Sequence, residues 1–483
     1  MRRPAPAFAF TFAFALAAAG ALGGCSVGPN YRRPALPAPE SFYESTQATA
    51  DASLADTPWW GVFEDPALRS LVEEALRNGY DVRLAAARVE ESRARYGIAG
   101  SLYFPDLGYS ATAGRSHSSA YATPGDATGN LVTANASLSW ELDVWGRVRR
   151  LNEAARAEYL ATEEGRRAVV VSLVADVASA YFDLRDLDAE LEISRRTRAT
   201  FQDTFDLFSR RLSGGAASAL ETARAEALLA NAAAQIPALE QRVVARENQI
   251  TLLLGRAPGP VPRGASLTDQ SMPPVVPAGL PSALLLRRPD VREAEQALVA
   301  ANANVGVARA AFYPTLSLTG LFGGQSTGLG DLFAAGRTWS VGANVLGPLF
   351  RGGRLRAAER VARAQFEEAL VSYERAFTRA LGEVSSSLVA IEKLAAEETQ
   401  RERSVRATRE AVRLATLRYE SGLSAYFEVL DALQLLLPAE TALVQTRRDR
   451  LTAFVSFYRA LGGGWSDASP APPPAATQEP ARP

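Results

Sequence analysis

The sequence predicts a mixed α and β chain built twice from one unit: a helix, two membrane strands and two long helices. Three observations lead there. The first is duplication. Asp81-Val82-Arg83 and Phe104-Pro105 recur as Asp290-Val291-Arg292 and Tyr313-Pro314, 209 positions later. Gly215, Glu221 and Leu254-Gly255 recur as Gly422, Glu428 and Leu461-Gly462, 207 positions later. That period is far too long for a solenoid and describes two pseudo-equivalent halves of one wall. The second is strict alternation of apolar and polar residues over four segments of about 10 residues, the length a tilted membrane strand needs. The third is a pair of proline-free stretches, Arg147 to Leu212 and Gly352 to Gly422, dominated by Ala, Arg, Glu and Leu. At 1.5 Å per residue, about 65 helical residues extend roughly 100 Å, far beyond an ordinary globular helix.

Taken in chain order, residues 1–24 read as a signal peptide. Arg2 and Arg3 precede an apolar run from Ala7 to Ala21, followed by Leu22-Gly23-Gly24-Cys25-Ser26. A basic start, a short apolar core and small residues before a cut site make a secretory leader rather than a structural helix. Cys25 is the chain's one cysteine, which excludes a disulfide framework. The segment resembles a bacterial lipobox, with Cys25 the acylated first residue of the mature chain. Such acylation adds an N-palmitoyl and an S-diacylglycerol group, which bind membrane through buried CH₂ groups. Ser26 in place of Asp fits export onward to the outer membrane. Residues 25–57, rich in Pro, Ser and Ala, read as an extended lipidated tether.

The first repeat spans 58–255. Asp65-Pro66 starts a short helix as N-cap and first helical residue, and Asn78-Gly79 ends it. A second helix runs from Asp81 to about Leu102 and stops before Pro105. Strands are expected at about 106–116 and 130–143. Val132, Ala134, Ala136, Leu138, Trp140 and Leu142 face one way, and Thr133, Asn135, Ser137, Ser139 and Glu141 the other. Long helices follow at 147–212 and 219–254, joined by a turn at Ser213-Gly214-Gly215. Residues 256–288, rich in Pro and Gly, form a linker. The second repeat, 289–465, has strands at about 314–325 and 337–349 and long helices at 352–421 and 426–462. Pro237 and Pro438 fall within the return helices. The tail, 466–483, has a disordered composition.

Trp140, Trp339 and Tyr109 are candidates for an interfacial aromatic girdle. A soluble sheet with one buried face would show the same alternation. His117, the single histidine, is expected in the polar loop between the first two strands.

Function classes narrow quickly. A formal net charge of −1 over 483 residues gives no support for a nucleic-acid partner. No uninterrupted apolar run of 18 or more follows the leader, so a spanning helix is not expected. With one His and one Cys, no His/Cys metal site is expected. No phosphate loop or nucleophile elbow is present, so neither cofactor nor catalysis is expected. A membrane-crossing role then requires a closed β-barrel. Four strands cannot close one, since small outer-membrane barrels begin at about eight. Several chains must share it: two would give eight strands and a filled interior, three would give twelve and a channel.

The residues Cys25-Ser26-Val27-Gly28-Pro29-Asn30-Tyr31, Trp59-Trp60 and Asp65-Pro66-Ala67-Leu68 carry a family resemblance. So do Arg287-Arg288-Pro289-Asp290-Val291 with Ala294-Glu295, and Leu461-Gly462-Gly463-Gly464-Trp465. Together with the duplication, the chain resembles outer-membrane factors of the TolC/OprM type, the exit ducts of tripartite efflux systems, in their lipoprotein (NodT) subgroup. The resemblance implies a homotrimer with a 12-stranded transmembrane β-barrel, a periplasmic α-barrel and a small equatorial domain. It implies residence in the outer membrane, a periplasmic adaptor, an inner-membrane pump of the RND type as energy source, and no enzymatic step. By matching positions it places a gate near the second turn at Glu428 and Asp431, three residues apart and so on one helix face. A solvated helix face would carry the same two acids. It also implies a latch at Glu221, whose arginine partner's position holds Ser424 here, so that Arg418 is the substitute candidate. Tyr419 belongs to the same group. The exit duct of a type I protein-secretion system and a structural coiled-coil lipoprotein of the envelope are the alternatives. The second leaves the four alternating strands unexplained.

Overall fold

The computed structural model describes residues 26–37, 39–43, 64–118, 127–272 and 287–463. The leader, Cys25, Trp59-Trp60, Trp465 and the tail lie outside the described residues, as does much of the tether and linker. Helices α1 (Pro66–Asn78) and α2 (Tyr80–Ser101) lead to strands β1 (Asp106–Ser118) and β2 (Ala127–Leu142). Helices α3 (Arg147–Ser213) and α4 (Ala219–Leu253) complete the first repeat. The second repeats the order with α5 (Pro289–Ala310), β3 (Thr315–Ser326), β4 (Arg337–Leu346), α6 (Arg354–Glu420) and α7 (Phe427–Ala460). The chain divides into two compact units. One holds Arg88–Glu163, Glu293–Glu374 and the described residues up to Ala35; the other holds the rest.

The first unit carries the sheet, antiparallel throughout in the order β1-β2-β3-β4. Pairing of β2 with β3 joins the repeats, from Val132 opposite Ser326 to Leu142 opposite Leu316. Below the strands, the Trp145 indole N–H donates to Pro314 O at 2.7 Å, and its ring stacks on Tyr313 at 4.8 Å. Asp143 opens α3 by accepting the Val148 and Arg149 amides, each at 2.9 Å. Glu141 holds Arg147 through two bonds, at 2.8 and 2.6 Å. Gly146 has φ +78, and a Cβ there would lie 2.8 Å from Ser26 Cα. Residues 26–28 therefore pass beside this junction. Val27 N donates to Trp145 O at 3.0 Å. Further along the segment, Tyr31 and Arg33 both donate to buried Glu295 of α5.

The second unit has a helical core. Leu68, Leu71, Val72 and Ala75 form the buried stripe of α1. Tyr181, Phe182 and Leu184 of α3, Ile250 of α4, and Leu451 and Phe457 of α7 are almost fully buried. Asp65 is the N-cap of α1, accepting from Ala67 N at 2.8 Å and Leu68 N at 3.4 Å. It also accepts from the Tyr181 hydroxyl at 2.7 Å and the Gln270 amide at 2.5 Å. The part of the linker at Gly264 closes over it, donating its N–H to the Tyr181 hydroxyl oxygen at 3.0 Å. Arg288, also buried, donates to Ala460 O at 2.8 Å and pairs with Glu383 at 2.8 Å. The Arg287-to-Val291 motif thereby fastens the start of α5 to α6 and to the end of α7.

Four sequence expectations shift. Strand β1 continues to Ser118, so His117 is a strand residue opposite Thr128 rather than a loop residue. Its Nδ1 lies 3.0 Å from Thr128 Oγ1. Strand β2 starts at Ala127, not 130, for the same reason: the pairing runs further than the apolar alternation. Strand β4 stops at Leu346, not 349, because Pro348 has no N–H for a ladder. Helix α6 starts at Arg354, not 352, because Gly352 and Gly353 sit at φ +53 and +81, outside helical backbone. Pro237 and Pro438 lie inside continuous helices, each removing one backbone donor.

Candidate functional site

Two surfaces carry the functional argument: the paired helix turns of the second unit and the two-faced sheet of the first. Both turns close in the same way. Gly215 and Gly422 each have φ +71. Ala216 N reaches back to Arg211 O at 2.7 Å, and Leu423 N to Arg418 O at 2.9 Å. Gly215 N and Gly422 N bond one turn position closer. This is the Schellman closure, which needs a left-handed residue just past the helix, and it occurs at equivalent positions of the two repeats.

Beyond the turns the repeats diverge. Ser218 and Glu221 form a capping box at the start of α4. The Ser218 N–H and hydroxyl hold the exposed Glu221 carboxyl below its usual range. On the other hairpin, Arg418 Nε donates to Glu428 Oε2 at 3.2 Å, with both side chains about half exposed. Within the chain, then, Arg418 partners Glu428, and the substitute Glu221 pairing expected for it is not made. The reason is local: Glu221 is already engaged by the cap of its own helix. Ser424 Oγ is buried without a hydrogen-bond partner. Asp431 is exposed on α7, one turn from Glu428.

The two hairpins are tied by Tyr419, which the family resemblance groups with the gate candidates, and by residues that carry no local sequence signal. Arg211 donates to the Tyr419 hydroxyl and lies over its ring at 5.4 Å. Tyr419 meets Tyr426 edge-on at 4.8 Å, and Tyr426 meets Phe208 at 4.9 Å. The Tyr426 hydroxyl lies 2.9 Å from Thr204 Oγ1. Further from the turns, buried Glu440 of α7 accepts from Arg196 of α3 at 2.7 Å and from Arg409 of α6 at 2.6 Å. Beyond Tyr419, the duplication is the feature that points to Arg211, since Arg211 and Arg418 are repeat equivalents.

A polar cavity of about 200 Å³ lies among Asp183, Asp186, Arg242, Arg246, Gln249 and Arg448. Asp186 is buried and one of its carboxyl oxygens is unpartnered. Burial, followed by repulsion from Glu190, pushes its pKa up to about 7, against the lowering pull of Arg448. A carboxyl raised in the fold binds its proton more tightly there than in the unfolded chain. It therefore costs nothing below about pH 4, where both states hold the proton, and the cost grows as pH rises from there through about 7. Asp186→Asn is expected to raise stability at pH 8 by about 1–2 kcal/mol, a discounted share of ~1.4 kcal/mol per pKa unit, and to leave it unchanged at about pH 3, below the unfolded pKa. Thermal unfolding at the two pH values measures this, and an equal effect at both would contradict it.

On the sheet, cross-strand register turns alternation into two faces. Tyr109, Ala136, Phe322 and Trp339 form one continuous row, as do Leu107, Leu138, Gly320 and Val341. The opposite face carries Ser110, Asn135, Gly323 and Thr338 in one row and Glu141, Ser317 and Asn344 in another. Tyr109 and Trp339 are strongly exposed. Trp140 lies in a different row, opposite Leu318, and its indole N–H caps Tyr103 O at 3.1 Å near the start of β1. The three aromatic candidates thus share the apolar face but sit at two levels. Among the described residues no helix is long and apolar enough to cross a membrane. No group of acids and His could hold a metal ion among them either.

Comparison with known proteins places this arrangement. The model of the outer membrane efflux protein family matches residues 71–256 and 280–463, one match to each repeat. The toluene efflux pump outer membrane protein TtgC of Pseudomonas putida is 36% identical over 455 residues, covering 92% of this chain and 93% of its own. The cation efflux system protein CusC of Escherichia coli is 33% identical over 453 residues, covering 92% and 97%. The open-state structure of the MtrE outer membrane channel of Neisseria gonorrhoeae superposes with a TM-score of 0.82 at 33% identity, covering 91% of this chain and 98% of that one. The chain belongs to the outer membrane efflux protein family, with the mixed α and β tunnel fold of an exit duct that sits in the cell outer membrane and extends into the periplasm.

Proposed function

We propose that the chain works as a homotrimer whose twelve strands close one barrel, and that it is a passive duct opened by a periplasmic adaptor and an RND-type inner-membrane pump. The observation that carries this reading is the four-stranded sheet with an apolar face and two outer strands, β1 and β4, each paired on one side only. In lipid such edges must be closed by further strands. Three copies supply twelve, enough for an open lumen. Cys25 carries N-palmitoyl and S-diacylglycerol chains, supported by the lipobox-like leader. Tyr109, Trp339 and Trp140 anchor the barrel at the membrane interfaces.

Substrate choice resides in the pump rather than in this duct. Apart from Leu321, the central lumen-side strand residues such as Ser110, Asn135, Ser137, Thr319 and Ser340 are small and polar and offer a solute little apolar surface. Relatives of nearly equal identity carry names for toluene and for cations. Exchanging this duct for another that accepts the same adaptor is expected to preserve the resistance spectrum.

Glu428 and Asp431 form stacked acidic rings at the gate of the trimer, close to the turns. Their exposure on one face of α7 supports this, as does the affinity of closely spaced carboxylates for cations. In lipid bilayers the reconstituted duct is expected to conduct as a trimer and to be blocked from the periplasmic side by divalent or hexammine cations. The Glu428→Gln, Asp431→Asn double variant is expected to escape that block. Equal block in both would remove the acidic gate, and absence of any conductance would remove the duct.

A further inference from the structure

The apolar face of the sheet is not flat. A depression of about 490 Å³ opens on it, within the range of small-molecule pockets, bounded by Leu107, Leu138, Phe322, Trp339 and Val341. Ala136 and Gly320, the small members of two adjacent rows, form its floor. Gly320 has ordinary strand backbone, and a Cβ added there would meet only Leu138 Cβ at 3.5 Å. The hollow is thus not forced by backbone strain. Its floor belongs to the two central strands, β2 and β3, so the hollow is not made by a strand edge.

The described chain begins beside the ends of the same two strands. Ser26 packs against Gly146, and Val27 is bonded to Trp145 O. Trp145 in turn holds Pro314 O, the residue just before β3. From Leu142, the last residue of β2, to Leu138 and Ala136 is four and six residues, roughly 13–20 Å along a strand. An acyl chain anchored at the interface fills one leaflet, about half of the ~30 Å hydrocarbon core. The two lengths match for a tilted strand.

We infer that this hollow is the seat of an acyl chain carried by Cys25, so that the lipid anchor packs on the barrel wall instead of floating free in the leaflet. The inference rests on the acylation of Cys25 proposed above. Seating the tail on the wall would bury both the groove and the tail, giving the anchor a share in holding the central strands together.

The test uses the full-length protein in cells fed an alkynyl palmitate analogue bearing a diazirine, with adducts mapped by peptide mass spectrometry after irradiation. In the wild type, adducts are expected on the peptides of β2 and β3 around Ala136 and Gly320. They are expected to fall to background in Cys25→Ala exported behind a non-lipoprotein leader, although phospholipid stays labelled. In the Ala136→Leu, Gly320→Leu variant, adducts are expected to leave these peptides while N-terminal mass spectrometry still finds acylated Cys25 and the trimer band persists. Strand adducts that survive in Cys25→Ala would assign the hollow to ordinary phospholipid and overturn the inference. Acylated Cys25 without strand adducts in the wild type would overturn it too. An unmodified Cys25 would overturn both it and the acylation on which it rests.

Discussion

Ala136→Arg is expected to destabilise the barrel by about 2–4 kcal/mol, the cost of a cationic side chain on the lipid face near the midplane. Ala136 lies well inside β2, opposite Tyr109 on one side and Phe322 on the other, with Trp339 completing the row. Its neighbours on the same face along the strand, Ala134 and Leu138, are also apolar. A guanidinium at this position has no acceptor on its own face and is too far from either strand end to reach water without bending the wall. Ser137→Arg is the control. Ser137 lies in the row Gly108, Leu321 and Ser340 on the opposite face, where a long cationic side chain extends into the lumen. Its cost is expected to stay below about 1 kcal/mol, as for substitutions that remain hydrated. Equilibrium unfolding in lipid vesicles, with heat-modifiable trimer bands as a second readout, separates the two. Equal costs would mean that the assignment of faces is wrong.

Period-two alternation makes that assignment legible in the sequence itself, because a strand has only two faces and the lipid selects one of them. The same simplicity explains the accuracy of the helix ends. Asp65-Pro66, Asn78-Gly79 and the glycines at 215 and 422 are local signals, each satisfied by backbone within a few residues. Where sequence and structure part, pairing rather than local chemistry decides. His117 looks like a loop residue by composition, yet the ladder with Thr128 keeps it in β1. The proposed gate shows the same division. Exposure of Glu428 and Asp431 on one face follows from helix spacing, but the partner of Arg418 depends on what already engages Glu221. The tie between Arg211 and Tyr419 joins residues 208 apart in sequence, and nothing local marks either as a partner of the other. Asp186 is likewise one acid among many on an Arg-rich helix; only packing against α4 and α7 makes it buried and half-unpaired.

Asp65→Ala is expected to cost about 3 kcal/mol or more in the helical unit, because four donors lose one acceptor together. The cap alone is worth about 1 kcal/mol, and a hydrogen bond to a charged group about 1.5–3. The Tyr181 hydroxyl is the group least able to recover, since its side chain has no exposed surface and its other bond, from Gly264 N, uses it as an acceptor. Asp65→Asn keeps an oxygen for the cap and is expected to cost much less. The two variants also differ in acid. Burial pushes the Asp65 carboxyl up, but the bonds from Tyr181, Gln270, Ala67 and Leu68 outweigh it and hold the pKa below the usual value. A carboxyl depressed in the fold stabilises above its unfolded pKa, and that contribution is lost as pH falls through the folded value. Wild-type stability should therefore drop below about pH 4, and the Asn variant should show a shallower drop over the same range. Thermal unfolding of wild type, Asp65→Ala and Asp65→Asn between pH 3 and pH 7 measures both effects. Parallel acid limbs in wild type and Asp65→Asn would mean that Asp65 does not carry charge in the folded unit, and a small loss in Asp65→Ala would mean that Tyr181 finds another acceptor.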